Sequence, residues 1–184
     1  MTHRKIWAFL LLISTVFLLS QCTSRYTQKD VEQLLSTERV TANTSDISIL
    51  IPNGWHTIEA NDSLFIDLWL VSKDYNSSLS LIPLHSENNK QSFSEWTSVS
   101  KLSNKMKFKK DKIEIVDDGD DVINGIQTSS YYFKVNNTLH RITIFNFKNK
   151  FYELTALDKA INHNKASQIN NLEKLQTAII QTVR

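Results

Sequence analysis

The side chains most able to carry out chemistry are scattered along this 184-residue chain rather than grouped. Its five histidines stand apart, with no cysteine partner and no pair at the spacing that places two imidazoles on one helix face for zinc. None of its three glycines frames a nucleophilic serine or a phosphate-binding loop, both of which need glycine where the backbone turns sharply. We therefore expect neither a metal nor an organic cofactor, and we predict that the protein is not an enzyme.

Two runs of charge are the next candidates for a binding role. The acidic run at residues 117–121 lacks the ligand order and the distal glutamate of a calcium loop, so we interpret it as a solvated turn. Six lysines occur within residues 101–112. They could face anionic lipid headgroups or an acidic partner, although the solvated end of a helix is the commoner reason for such a run.

Trp55, His56, Trp96 and Arg141 are the residues best suited to contact a partner. Tryptophan and arginine are the types most enriched at binding hot spots, and Arg141 lies in an otherwise apolar stretch. We take these four as candidate binding residues. The alternative is that the tryptophans pack in the core and Arg141 lies on a solvated face.

Cys22 is the only cysteine of the chain, and its surroundings point to covalent modification. A basic start precedes the apolar run of residues 6–20, which as a helix would extend about 22 Å, short of the ~30 Å hydrocarbon core of a bilayer. Such a run is typical of a secretory signal peptide, here residues 1–21. The sequence Leu19-Ser-Gln-Cys22 resembles the lipobox of bacterial lipoproteins, although Gln21 departs from the small residue usual at that position.

The resemblance implies that Cys22 becomes the lipidated first residue of the mature chain and holds it at a membrane. Two or more acyl chains give stable attachment, at about 0.8 kcal/mol per buried methylene. An ordinary cleaved signal and an uncleaved anchor are the alternatives. By the sorting pattern of such lipoproteins, Thr23 in place of aspartate favours the outer membrane facing the periplasm if the host is Gram-negative. The predicted location is therefore the cell envelope.

The charge balance gives no reason to expect a nucleic-acid partner. The chain has 21 lysines and arginines against 19 acidic residues, but Arg4 and Lys5 leave with the predicted signal. The mature chain is then balanced, so the basicity belongs to the targeting segment rather than to the domain.

Composition divides the mature chain into a tether and one domain. Residues 22–45 are rich in Ser, Thr, Asn and Gln, so we expect a lipidated, flexible tether. Residues 46–184 are predicted to form a single domain. Its strands are expected at 47–51, 64–71, 79–82 and 112–116, followed by a meander at 122–135, 138–147 and 151–157.

Two amphipathic helices complete the pattern. Ser92 and Glu95 form a capping box that opens a helix over residues 92–107. The apolar residues expected to cover the sheet are Phe93, Trp96, Val99, Leu102 and Met106. A second helix is predicted over residues 165–184. The order of strands, helix, strands and helix predicts the α+β class, an antiparallel sheet of six or seven strands with helices packed on it.

The segment Ile49-Leu-Ile-Pro-Asn-Gly-Trp-His56, an extended stretch entering Pro-x-Gly-Trp, resembles the opening of the PsbP/Mog1-like domains. Those domains continue, as this chain does, with a hairpin, a helix near a Phe-x-x-Trp-like element, a meander and a C-terminal helix. The resemblance covers residues 46–184 and implies an α/β/α sandwich with helices on both faces of the sheet. It also implies a non-enzymatic accessory or partner-binding role, without naming a partner.

Two hypotheses of function follow from these observations. The first is a membrane-anchored lipoprotein whose non-enzymatic domain binds or assembles with another envelope protein. The second is a small-ligand carrier or envelope enzyme with a pocket between sheet and helix. A concave, partly apolar cavity with convergent polar groups would favour the second.

Overall fold

The computed structural model describes residues 28–59, 65–85, 91–159 and 164–184. The predicted signal peptide, residues 1–21, and Cys22 lie outside the described residues. Within the described ranges, no helix is long and apolar enough to cross a membrane. Nine strands and three α-helices form the fold of these ranges, which confirms the α+β class.

The N-terminal part of the described chain forms a small sheet of its own. Helix α1 (Gln28–Leu34) leads into strand β1 (Leu35–Thr41), which pairs antiparallel with β2 (Ser48–Pro52). The backbone of Ser48 also exchanges hydrogen bonds of 3.1 and 3.2 Å with Arg184, so the end of the chain extends this sheet. The small sheet therefore joins both ends of the described chain.

The prediction of a flexible tether over residues 22–45 does not hold for residues 28–45. Val31, Leu35 and Ala42 are buried in the main core, at 5–6% exposure. The low apolar content of this segment is misleading because backbone pairing to β2 satisfies its polar groups, and three well-placed apolar side chains then suffice to dock it.

The centre of the domain is an antiparallel sheet of seven strands. They are β3 (Trp55–Thr57), β4 (Leu68–Ser72), β5 (Ser77–Leu84), β6 (Val116–Ile123), β7 (Ile126–Val135), β8 (Thr138–Phe147) and β9 (Lys150–Lys159). Their order across the sheet is β3-β4-β5-β9-β8-β7-β6. Strands β7, β8 and β9 form the predicted meander, with neighbouring strands paired antiparallel throughout.

Residues 112–123 fold differently from the prediction. The expected strand at 112–116 and the expected acidic turn at 117–121 are wrong, because β6 begins at Val116 and carries the acidic run. A strand at the edge of a sheet keeps its side chains in water and tolerates such charge. The true turn is Asn124-Gly125, whose φ angles of 50° and 79° suit a tight hairpin between β6 and β7. The predicted strand 122–135 is therefore two strands.

Helices cover both faces of the large sheet, as the family resemblance implies. Helix α2 (Phe93–Lys107) packs on one face over Tyr131, Phe133, Ile142 and Ile144. Helix α3 (Lys165–Gln181) packs on the other face together with the small sheet. The residues of α3 that enter this main core are Leu175, Ala178, Ile179 and Ile180. Each buried leucine or isoleucine among them contributes about 1.5 to 3 kcal/mol relative to exposure.

Candidate functional site

Helix α2 is the element on which the candidate site is built. Its predicted capping box is confirmed: the backbone N–H of Glu95 donates to Ser92 Oγ, and the backbone N–H of Ser92 donates to the Glu95 carboxylate at 2.6 Å. The backbone and side-chain hydrogen bonds from Ser92 lower the pKa of Glu95 below its ordinary value. The cap fixes the residue at which the helix begins.

The inward face of α2 is partly polar and firmly attached to the sheet. Ser100 Oγ donates to Glu153 Oε2 at 2.5 Å and lies 2.6 Å from the hydroxyl of Tyr131. The amide of Asn104 donates to the same hydroxyl at 2.9 Å. Burial raises the pKa of Tyr131, so its hydroxyl stays protonated in this network. These bonds fix the rotation of the helix about its own axis.

The outward face of α2 carries an apolar row made of Val99, Leu102 and Met106. These side chains are 49%, 59% and 70% exposed. The sequence pattern predicts that they cover the sheet together with Phe93 and Trp96. The structure places Phe93 and Trp96 against the sheet and the other three in water.

The error in that prediction has a geometric cause. Each residue advances about 100° around an α-helix, so each step of three residues turns the stripe back by about 60°. Three such steps lead from Phe93 to Leu102 and carry the stripe through about 180°, from the sheet to the solvent. The inward face is completed instead by Thr97, Ser100 and Asn104, which a search for apolar residues passes over.

Lysines surround the C-terminal half of the row. Lys101 Nζ lies 2.5 Å from Asp117 Oδ1 of β6, and Lys107 Nζ lies 5.3 Å from the centre of the Phe108 ring. Further exposed lysines follow at Lys105, Lys109, Lys110 and Lys112. The apolar row therefore ends in a basic rim.

The structure does not bring the predicted binding residues Trp55, His56, Trp96 and Arg141 into one site. Trp55 is partly buried and packs against the main core. The neighbouring His56 makes an edge-to-face contact with Tyr75, at 5.5 Å between ring centres. Trp96 is 9% exposed and lies on the inward face of α2, with its ring centre 6.3 Å from that of Phe151.

Arg141 lies on the α3 face of the sheet, opposite to Trp96. It is 6% exposed, and its guanidinium donates to Asp118 Oδ2 at 2.7 and 2.9 Å. It also donates to Thr143 Oγ1 at 2.9 Å and to Gln176 Oε1 at 2.5 Å. These bonds tie the edge strand and α3 to the centre of the sheet. A binding role for the four residues stays a prediction.

Two concavities lie beside α2. The larger, about 770 Å³, separates the helix from the acidic edge strand and is lined by Phe93, Thr97, Lys101, Asp120 and Ser129 among others. The smaller, about 420 Å³, lies at the end of the sheet where the β8–β9 turn approaches the start of α2. Both volumes fall in the range of small-ligand sites.

Two of the four acidic side chains of β6 form ion pairs within the domain. Asp117 is bound by Lys101, and Asp118 by Arg141. In the part of the chain that the structure describes, no three His, Cys, Asp or Glu side chains come together as a candidate metal site.

Apart from Trp96, sequence reasoning missed the lining of the smaller concavity. Its signal is the run Phe147-Lys-Asn-Lys-Phe-Tyr152, in which basic and aromatic residues are interleaved across a turn. Lys148 and Asn149 have φ angles of 50° and 61°, and this tight turn holds the two lysines at the tip of the β8–β9 hairpin.

Comparison with known proteins identifies the fold. No family model and no curated protein matches the sequence. PsbP (CyanoP) from Synechocystis sp. PCC 6803 is similar with a TM-score of 0.55 and 14% identity, over 90% of this chain and 98% of that chain. The Saccharomyces cerevisiae Ran-binding protein Mog1p is similar with a TM-score of 0.58 and 10% identity, over 82% of this chain and 95% of that chain. The predicted PsbP/Mog1-like fold is confirmed, and identity this low concerns the fold alone.

Proposed function

We propose that this protein is a membrane-anchored, non-enzymatic accessory domain that binds another protein of the cell envelope through the outward face of α2. The observation that carries the proposal is the exposed apolar row of Val99, Leu102 and Met106. Large apolar side chains at i, i+3 and i+7 of one helix face are the arrangement by which helices enter apolar grooves.

The energetics favour an external partner for this row. Full burial of each such side chain is worth about 1.5 to 3 kcal/mol relative to exposure, and the fold leaves all three about half exposed or more. The helix beneath them is already fixed by Trp96 and by the network around Ser100. Docking onto a fixed helix loses little conformational entropy, so more of the burial energy becomes affinity.

The basic rim indicates the chemistry of the partner. Exposed Lys105, Lys109 and Lys110 stand beside or beyond the end of the row. A partner that presents an apolar groove edged by carboxylates would match both features, and its charge would raise the association rate more than the affinity.

The anchor restricts where that partner can be. If Cys22 carries the lipid, the first described residue, Gln28, lies six residues further along the chain. Six residues span at most about 20 Å. The domain would therefore act on partners at the membrane surface rather than deep in the periplasm.

The structural neighbours support a protein-binding role without specifying it. Mog1p is described as a Ran-binding protein, which shows that a domain of this fold can serve to bind another protein. Because the likeness concerns the fold alone, it carries neither that partner nor its binding surface over to this chain.

Site-specific photo-crosslinking tests the proposal. A photoreactive phenylalanine analogue would replace Leu102 or Met106 in the full chain expressed in its host, with Tyr75 as the matched control. Tyr75 is 62% exposed but lies on the turn between β4 and β5. We expect one protein to be captured from positions 102 and 106 and not from 75.

The captured protein must then bind in purified form. The mature chain in lipid nanodiscs should bind it, and Leu102→Asp with Met106→Asp should weaken binding at least about tenfold, since two apolar anchors are replaced by charges. The proposal is wrong if the purified proteins do not bind or if the double substitution leaves the affinity unchanged.

A further inference from the structure

The smaller concavity is formed by four separate segments of the chain. The loop between β1 and β2 contributes Ser45, the end of β5 contributes His85, and the start of α2 contributes Trp96. Lys148 and Lys150 come from the β8–β9 turn. A space of about 420 Å³ enclosed by segments this far apart in sequence is a product of the whole fold rather than of one loop.

One wall of this pocket is aromatic. Trp96 and Phe151 lie with their ring centres 6.3 Å apart, and Phe151 also contacts Phe93 at 5.8 Å. Tyr152 also borders the pocket, but its side chain points to the opposite face of the sheet from Phe151, where its ring stacks on Phe145 at 5.3 Å in the main core. Flat rings held in this way favour a flat apolar ligand, because offset stacking adds to the binding free energy gained by burying apolar surface.

The polar part of the lining is cationic. Lys148 and Lys150 are exposed at its mouth and supply the positive charge, while His85 and the amides of Gln91 and Asn149 add hydrogen-bonding groups. Among the described residues that line the pocket there is no carboxylate. Positive charge and amide donors at the rim of an apolar space are suited to binding an anionic group.

Asp46 and Asp67 lie close enough to Tyr152 to influence it but are not among the described lining residues, and the carboxylate of Asp67 is occupied. Asp67 is buried and accepts hydrogen bonds from the backbone N–H groups of Thr44 and Ser45. Burial, together with Asp67 and Asp46, raises the pKa of Tyr152, so its hydroxyl stays protonated. Ser45 also lines the pocket, and its hydroxyl is buried without a hydrogen-bond partner among the described residues.

We propose that this pocket binds a small organic anion with a flat apolar body, its ring against Trp96 and Phe151 and its anionic group toward Lys148 and Lys150. The site uses different residues from the outward face of α2, so it stands or falls separately from the proposed protein partner.

Fluorine NMR of the full mature chain in nanodiscs of zwitterionic lipid tests this site. The tryptophans would carry 5-fluorotryptophan, with resonances assigned by single Trp→Phe substitutions. The probe is 1-naphthoate, and its matched control is neutral 1-naphthamide, which has the same rings without the charge. We expect 1-naphthoate to shift the Trp96 resonance saturably while Trp55 and Trp69 stay in place.

Charge substitutions complete the test. Lys148→Ser with Lys150→Ser should weaken 1-naphthoate about tenfold, as expected for the loss of two partly screened charges, and should leave 1-naphthamide unchanged. Lys134→Ser with Lys159→Ser removes the same charge from β7 and β9 and should have no effect. If the Trp96 resonance shows no saturable shift up to roughly 10 mM 1-naphthoate, binding is too weak to be specific and the proposal is overturned. Equal binding of the acid and the amide, or equal effects of the two double substitutions, would also overturn it.

Discussion

His140 shows how the surroundings of one residue fix its charge. Its ring stacks on Phe133 at 4.7 Å and meets the edge of Phe108 at 5.4 Å. Burial, with the positive charge of Lys107 nearby, lowers the pKa of His140 from 6.5 to about 4. The imidazole is therefore neutral at physiological pH and acts as an aromatic packing residue.

Acid should destabilise the domain through this residue. The unfolded chain takes up the proton at higher pH than the folded chain, so the contribution of His140 to stability is complete above pH 6.5 and is lost as the pH falls through about 4. After discounting for the exposed part of the ring, the loss is about 1 to 2 kcal/mol. Urea unfolding between pH 7 and pH 4 measures it. His140→Phe should remove this part of the pH dependence, and an unchanged pH profile in that variant would contradict the assignment.

Residue type alone could not place Arg141. An arginine in an apolar strand is compatible in sequence with a binding hot spot and, more commonly, with a solvated face, and the structure shows a third outcome, a buried guanidinium. The carboxylate that pairs with it, Asp118, is 23 residues away, and its amide partner, Gln176, is 35 residues away. Only the assembled sheet reveals that they meet. By contrast, the capping partners Ser92 and Glu95 are three residues apart, so the sequence predicts them directly.

At the scale of elements, α2 should respond very differently to substitutions on its two faces. Trp96→Ala removes a core side chain beneath the helix and should cost about 3 to 5 kcal/mol in the free energy of unfolding. Leu102→Ala on the outward face should change it by less than about 0.5 kcal/mol. Urea denaturation of both variants measures the difference. Comparable losses would mean that the apolar row is packed in the folded state, and the proposed binding surface would be lost with it.

The sequence could predict those elements whose apolar residues recur at a regular spacing. The meander and the C-terminal helix carry long, regular periodicities that local pattern reading detects. Strand β6 does not, because four aspartates and a glycine have low strand propensity and the strand exists through pairing to β7. The orientation of α2 could not be predicted for a related reason, since its inward face is held largely by hydroxyl and amide groups rather than by a continuous apolar stripe.

For the molecule as a whole, the docked N-terminal segment should be essential to stability. Removing it would unpair β2 and uncover the core around Ile49 and Ile51, which are 1% and 5% exposed. A chain shortened to begin at residue 46 should lose several kcal/mol relative to one that begins at residue 28. Thermal unfolding of the two chains compares them. If both melt at the same temperature, residues 28–45 are the tether that composition suggests.

The proposed lipid anchor decides where in the cell the whole molecule acts, and the mass of the mature N-terminus tests that part of the proposed function most directly. Intact mass spectrometry of the protein from host membranes should show a chain that begins at Cys22 and carries acyl groups on that residue. Cys22→Ser should abolish acylation and leave the fold intact, because Cys22 lies outside every strand and helix that the sequence predicts. An unmodified N-terminus, or one that begins at any other residue, would contradict the lipid anchor.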